Sequence, residues 1–203
     1  MTAAQYLNCL QGVMQREWLR FFQQRSRFLS ALVRPLLWLL VFAAGFRAAL
    51  GVSIIPPYST YITYETYILP GLCCMILLFN GMQGSLSMVY DREMGSMRVL
   101  LMSSLPRPFL LLCKLLATAL VSLIQVYAFL AIAWCFDIRP PLWGLLAAAP
   151  ALLLAALLLS SLGLLLSNGI RQLENFAGVM NFVIFPLFFL SSALYPLWKM
   201  RES

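Results

Sequence analysis

Five long apolar runs divide this chain, and short polar or charged stretches separate them. They cover about Leu29–Leu50, Thr66–Tyr90, Phe109–Phe136, Leu142–Ser167 and Phe176–Trp198. Each is long enough for a helix that crosses a bilayer, which takes about 20 mostly apolar residues. Ahead of them, Tyr6–Phe22 follows a different rhythm. Leu7, Leu10, Met14, Trp18 and Phe21 recur at helical spacing, with Gln11, Gln15, Arg16, Arg20 and Gln23 between them. This spacing predicts an amphipathic helix in the membrane surface, Trp on its apolar face and Arg opposite. Between the second and third runs, the loop Asp91–Arg107 gathers Asp91, Arg92, Glu93, Arg98 and Arg107 around an apolar middle, Met97–Met102. It reads as a short amphipathic helix at the cytoplasmic face, suited to dock on a soluble partner.

The fold class that follows is all-α: a polytopic helical membrane protein with an N-terminal interfacial helix (residues 1–28) and five spans (29–198). No internal repeat or low-complexity linker divides it, so residues 1–203 are expected to form one membrane domain. No cleavable signal peptide is visible.

Composition supports a membrane protein. Hydrophobic residues make up 62% of the chain and charged residues 10%, which excludes an ordinary soluble domain. The net charge of +7 does not point to nucleic acid, because the basic residues cluster at the ends of apolar runs. Orientation follows from the same residues. With the N-terminus inside, ten of the fourteen Lys and Arg fall on cytoplasmic segments and four outside (Arg47, Arg139, Lys199, Arg201). The outer loop Gly51–Glu65 has no Lys or Arg and carries Tyr58, Tyr61 and Tyr64, as an interface belt would.

Few residues could do chemistry. There is no His, and the five Cys form no CxxC pair, so they read as small packing residues. Paired carboxylates, a Ser-His-Asp set and a GxxxxGK[ST] phosphate loop are missing from the sequence. Glu65, Asp91, Asp137 and Glu174 all fall at predicted span ends, which leaves no midplane proton relay. Arg34, Arg47 and Lys114 lie a turn or two inside span ends and are expected to snorkel to headgroups. Uncharged polarity is more plentiful. Asn80, Gln83, Ser87 and Asp91 share one face of the second span, with Gly81 and Gly84 close by. Such a strip lines a substrate path or makes interhelical hydrogen bonds with close backbone packing. Asn175, Asn181, Ser191 and Ser192 near the fifth span carry the same two readings. Ala147, Ala151 and Ala155 predict a packing face on the fourth span. Pro70-Gly71 and Pro186 are candidate kinks.

Several of these segments together resemble a known family. LPGL (Leu69–Leu72) opens the second span, DREMGSMRVLL follows at the turn, and LPRPFLLLCKLLA leads into the third span. NFVIFPLFFLSSALYPL (Asn181–Leu197) comes late in the chain. They resemble the permease subunits of type-2 ATP-binding-cassette exporters, which move drugs, polysaccharides, lipo-oligosaccharides and nodulation factors. The resemblance covers nearly the whole chain and says little about substrate. It implies that Asp91, Arg92, Glu93 and Gly95 begin a coupling helix that inserts in a groove of a cytoplasmic ATPase. Leu100 and Leu101 would form its apolar end, and Arg98 stands where many members carry Glu. Ser104 replaces a frequent Pro, and Cys113 a frequent Gly. Arg107 and Lys114 match the basic positions leading into the third span. The family fold has six spans, so the expectation is a permease lacking its last span.

The resemblance implies a non-enzymatic subunit in the bacterial cytoplasmic membrane. It would work with a second permease, identical or homologous, and with separate P-loop ATPases that carry the ATP and Mg. No cofactor is expected on this chain. Asn80, Gln83, Ser87, Asn181 and Ser191 are the candidate path-lining residues. Two other readings are a non-transporting membrane anchor or assembly factor and a membrane-embedded enzyme acting on lipid-linked substrates.

Overall fold

The computed structural model describes residues 3–23, 32–41, 52–53, 62–95, 102, 106–136, 138, 142–170 and 172–191. They form six helices and one minimal strand pair: α1 Ala3–Gln23, α2 Leu32–Val41, β1 Val52–Ser53, β2 Ile62–Thr63, α3 Tyr64–Glu93, α4 Arg107–Cys135, α5 Leu142–Asn168 and α6 Leu173–Leu190. The strands pair antiparallel, Val52 opposite Thr63 and Ser53 opposite Ile62. Four helices, α3 to α6, are long and apolar enough to cross a membrane. They match the second to fifth predicted spans to within a few residues at most ends. Of the first predicted span, Leu32–Val41 is helical and residues 42–50 lie outside the described residues. The fifth is helical as far as Leu190, and residues beyond 191 are likewise outside.

The central helix is α3. Ile68, Leu72, Leu77, Met82 and Val89 are wholly enclosed along its length, packed by α4, α5 and α6. Phe129 and Val126 of α4, Ile184 and Phe188 of α6, and Leu32 and Leu39 of α2 complete this core. Trp38 of α2 meets the Phe188 and Phe189 rings of α6 edge-on.

Small residues set a close crossing of α3 and α5. Ala156, Ser160, Gly163 and Ser167 are the buried residues of α5, and they recur at spacings of three and four. A Cβ added at Gly81 of α3 would stand 2.9 Å from the Ser160 backbone nitrogen, and one at Gly163 would stand 3.1 Å from the Gly81 carbonyl oxygen. Backbones this close need glycine on both sides, the packing mode that replaces the hydrophobic effect between helices in lipid. The expected face Ala147, Ala151 and Ala155 is therefore corrected. Ala147 and Ala151 lie on the outer surface of α5 and Ala155 is half-buried, because Gly and Ser one helical face away admit a closer approach.

Neither candidate kink breaks its helix. α3 continues through Pro70-Gly71, and α6 through Pro186. Pro70 lies in the second turn of α3, where its missing N–H costs a single helix bond. Proline instead organises the start of α4. Pro106 is the N-cap in extended backbone, its carbonyl accepts from the Phe109 and Leu110 N–H groups, and Pro108 sits in the first turn.

Candidate functional site

The last turn of α3 binds four other helices through three consecutive residues. Successive helix positions point about 100° apart, so Asp91, Arg92 and Glu93 each reach a different neighbour. The Asp91 carboxylate is 3% exposed. Arg16 of α1 donates to both its oxygens at 3.2 Å, and Arg20, one turn on, donates to Oδ1 at 3.1 Å. Lys114 of α4 stands 3.6 Å from Oδ2. Arg92 donates to the Ser167 carbonyl at 3.2 Å, at the C-terminal end of α5. Glu93 accepts the Leu173 N–H at 3.3 Å, at the first residue of α6. A cation thus meets the negative end of one helix and a carboxylate meets the positive end of the next. The turn between α5 and α6 is pinned to the end of α3.

Gly95 then stops α3. Its φ is +73°, a left-handed conformation that favours glycine, and its N–H donates to the Arg92 carbonyl at 3.3 Å. Glu93, Met94, Met102 and Arg107 are exposed. Arg98, Leu100 and Leu101, the rest of the expected docking segment, lie outside the described residues.

Three expectations change here. Asp91, read from the sequence as part of an exposed charged loop, is buried at the end of α3 among Arg16, Arg20 and Lys114. Arg16 and Arg20 turn toward Asp91 rather than away from the protein. Lys114 pairs with Asp91 instead of snorkelling to a headgroup, because a buried carboxylate is the nearer counter-charge. Arg34, also expected to snorkel, lies over the Phe79 ring at 4.0 Å from its centroid. The helix α1 is amphipathic as the pattern predicts. It runs alongside the first half of α4 in the same direction: Tyr6 packs edge-on against Phe109 at 4.8 Å, and Phe21 lines one cleft with Val121 and Gln125.

The polar strip of α3 faces inward, toward α1 and α4. Asn80 is buried and donates through Nδ2 to Gln125 Oε1 of α4. Ser87 donates to the Gly84 carbonyl at 2.7 Å within its own helix, and Gln83 is half-buried. In α6, Asn181 is exposed, while Ser191 is half-buried and donates to the Phe188 carbonyl at 2.7 Å. Neither lines the cleft that Asn80 lines. Sequence reasoning missed Gln125 and the roles of Arg16 and Arg20. For Gln125 a signal existed: it is the only amide in the apolar run Phe109–Phe136.

The Asn80–Gln125 pair gives a direct check. Changing either residue to Leu strands its partner and is expected to cost about 1–2 kcal/mol. The double Leu variant should cost no more than the larger single one, as read by thermal unfolding in detergent. Strictly additive losses would mean that the two amides do not interact.

The geometry defines a class of protein, a polytopic helical membrane protein whose helix ends meet around the buried Asp91 carboxylate. Residues 8–203 match the family model described as ABC-2 type transporter, and the chain belongs to that family. It is 26% identical over 185 residues to "Putative transport permease ycf38" of Cyanophora paradoxa, covering 87% of this chain and 61% of that protein. It is 26% identical over 194 residues to the protein of the same name from Porphyra purpurea, covering 94% and 65%. The chain thus spans a little under two thirds of the length of these curated relatives. No solved structure matches it.

Proposed function

We propose that this chain is the permease subunit of an ATP-driven exporter. It pairs with a second permease, identical or homologous, and separate P-loop ATPases dock on the loop that leaves α3 at Gly95. One observation carries this reading: Asp91, Arg92 and Glu93 tie the root of that loop to α1, α4, α5 and α6. A push on the loop therefore reaches five helices at once, α3 included. The names of the relatives support transport, and the surplus of Lys and Arg around this end supports a cytoplasmic loop and N-terminus in a bacterial inner membrane. Gly95 sets where the loop departs, and Met94 and Met102 supply exposed apolar contacts. The path itself forms between two permeases, since the cleft that Asn80 lines among the described residues has room for only a few water molecules.

Affinity purification of the chain from its own membranes, followed by mass spectrometry, tests this. The expected result is a P-loop ATPase at about one copy per permease. Recovery of the chain without any ATPase, under conditions where a related permease retains its own, would contradict it.

A further inference from the structure

We infer that bound water occupies two small hollows inside the chain, one on each side of the Gly84–Thr118 contact, between the Asp91 ion cluster and the Asn80–Gln125 pair. Two hollows flank the contact between Gly84 of α3 and Thr118 of α4. The one toward α1 is about 30 Å³ and carries Asn80, Ser122 and Gln125 on its wall, with Glu17 and Arg20 at its rim. The one toward α5 is about 10 Å³ and carries Ser85, Lys114, Thr118 and Ser160. A cavity holds a water once about 10–15 Å³ is open to the water's centre and two to four polar partners face it. The first hollow fits about two waters and the second about one.

The independent sign of water is Ser160. It is 2% exposed, it lines the smaller hollow, and its hydroxyl has no hydrogen-bond partner among the described residues. In lipid an unsatisfied hydroxyl is costly, and bulk solvent cannot relieve it. The neighbouring hydroxyls have already committed their protons: Ser85 donates to the Gly81 carbonyl at 3.1 Å and Thr118 to the Lys114 carbonyl at 2.9 Å. Their oxygens can still accept. A molecule that donates two bonds and accepts one from Ser160 or Lys114 matches this set. A water does so. A halide would find too few donors, and a metal cation would stand beside the Lys114 ammonium. On the α1 side, Ser122 has likewise donated to the Thr118 carbonyl at 2.8 Å and offers its oxygen.

The α5-side water gives Lys114 a solvating partner in addition to the carboxylates of Asp91 and Glu17. This inference does not depend on the exporter reading, and its test needs no ATPase.

Two experiments in lipid nanodiscs test the two hollows. For the larger one, proton-detected NMR should show magnetisation transfer from water to the buried Gln125 side-chain amide, as it does to the exposed Asn175 amide. No transfer to Gln125, where Asn175 shows it, would overturn the α1-side site. For the smaller hollow the sign of a stability change decides. If water satisfies Ser160, Ser160→Ala removes a partner and lowers the melting temperature. If the hollow is dry, the same change removes an unsatisfied hydroxyl and raises it, which would overturn the α5-side site.

Discussion

Asp91→Ala is expected to lower the melting temperature of the detergent-solubilised protein by roughly 5–10 °C, corresponding to a loss of about 3 kcal/mol. The loss comes from what stays behind. Removing the carboxylate leaves three cations with Glu17, 3.9 Å from Arg20, as the remaining counter-charge, and Lys114 is the critical cation because its side chain is only 14% exposed. Arg16 and Arg20 are 39% and 30% exposed and can rehydrate. For that reason Arg16→Ala alone should cost less than about 1 kcal/mol, as a half-exposed pair does. The Lys114→Met/Asp91→Leu double variant should recover much of the loss, since an apolar pair of similar volume often replaces a buried ion pair at little cost. A melting temperature for Asp91→Ala equal to the parent's would show that the carboxylate is not the anchor of α1 and α4.

The second large effect concerns α3 against α5. Gly81→Val should cost about 3 kcal/mol or more and sharply reduce the yield of folded protein. The added Cβ would meet backbone atoms of Leu159 and Ser160 at 2.9–3.0 Å, and a helix backbone cannot rotate out of the way. Gly84 provides the contrast. A Cβ there would stand 2.6 Å from a Thr118 side-chain carbon, and a side chain can move. Gly84→Ala should therefore be the milder change by at least a factor of two in lost stability. If the order were reversed, α3 and α5 would not touch through Gly81.

How much of this was legible beforehand follows from the physics of each element. The four long helices were readable because unbroken apolar length is a strong signal and lipid demands helices. The side of each helix that faces its neighbours was far less readable. On α5 nearly every position is apolar, so periodicity could not distinguish Ala147 and Ala151, on the outside, from Ala156 and Gly163, on the inside. The end of α3 was visible as a charged cluster, yet charge spacing does not tell which charge faces inward. Asp91 points toward Arg16 and Arg20, some 70 residues away in sequence, and such a pairing exists only in the folded chain. Gly95 was legible as part of a motif, and its reason emerged only from the positive φ.

The central claim is that the loop leaving α3 at Gly95 is the contact through which an ATPase moves the bundle. Photo-crosslinking tests this most directly. A benzoylphenylalanine placed at Met102, which is 86% exposed, is compared with one at Leu158, 58% exposed on the outer face of α5. The account predicts that Met102 crosslinks to a P-loop ATPase in the membrane and that Leu158 does not. Crosslinking from Met102 no greater than from Leu158, in membranes where the ATPase copurifies with the chain, would contradict it.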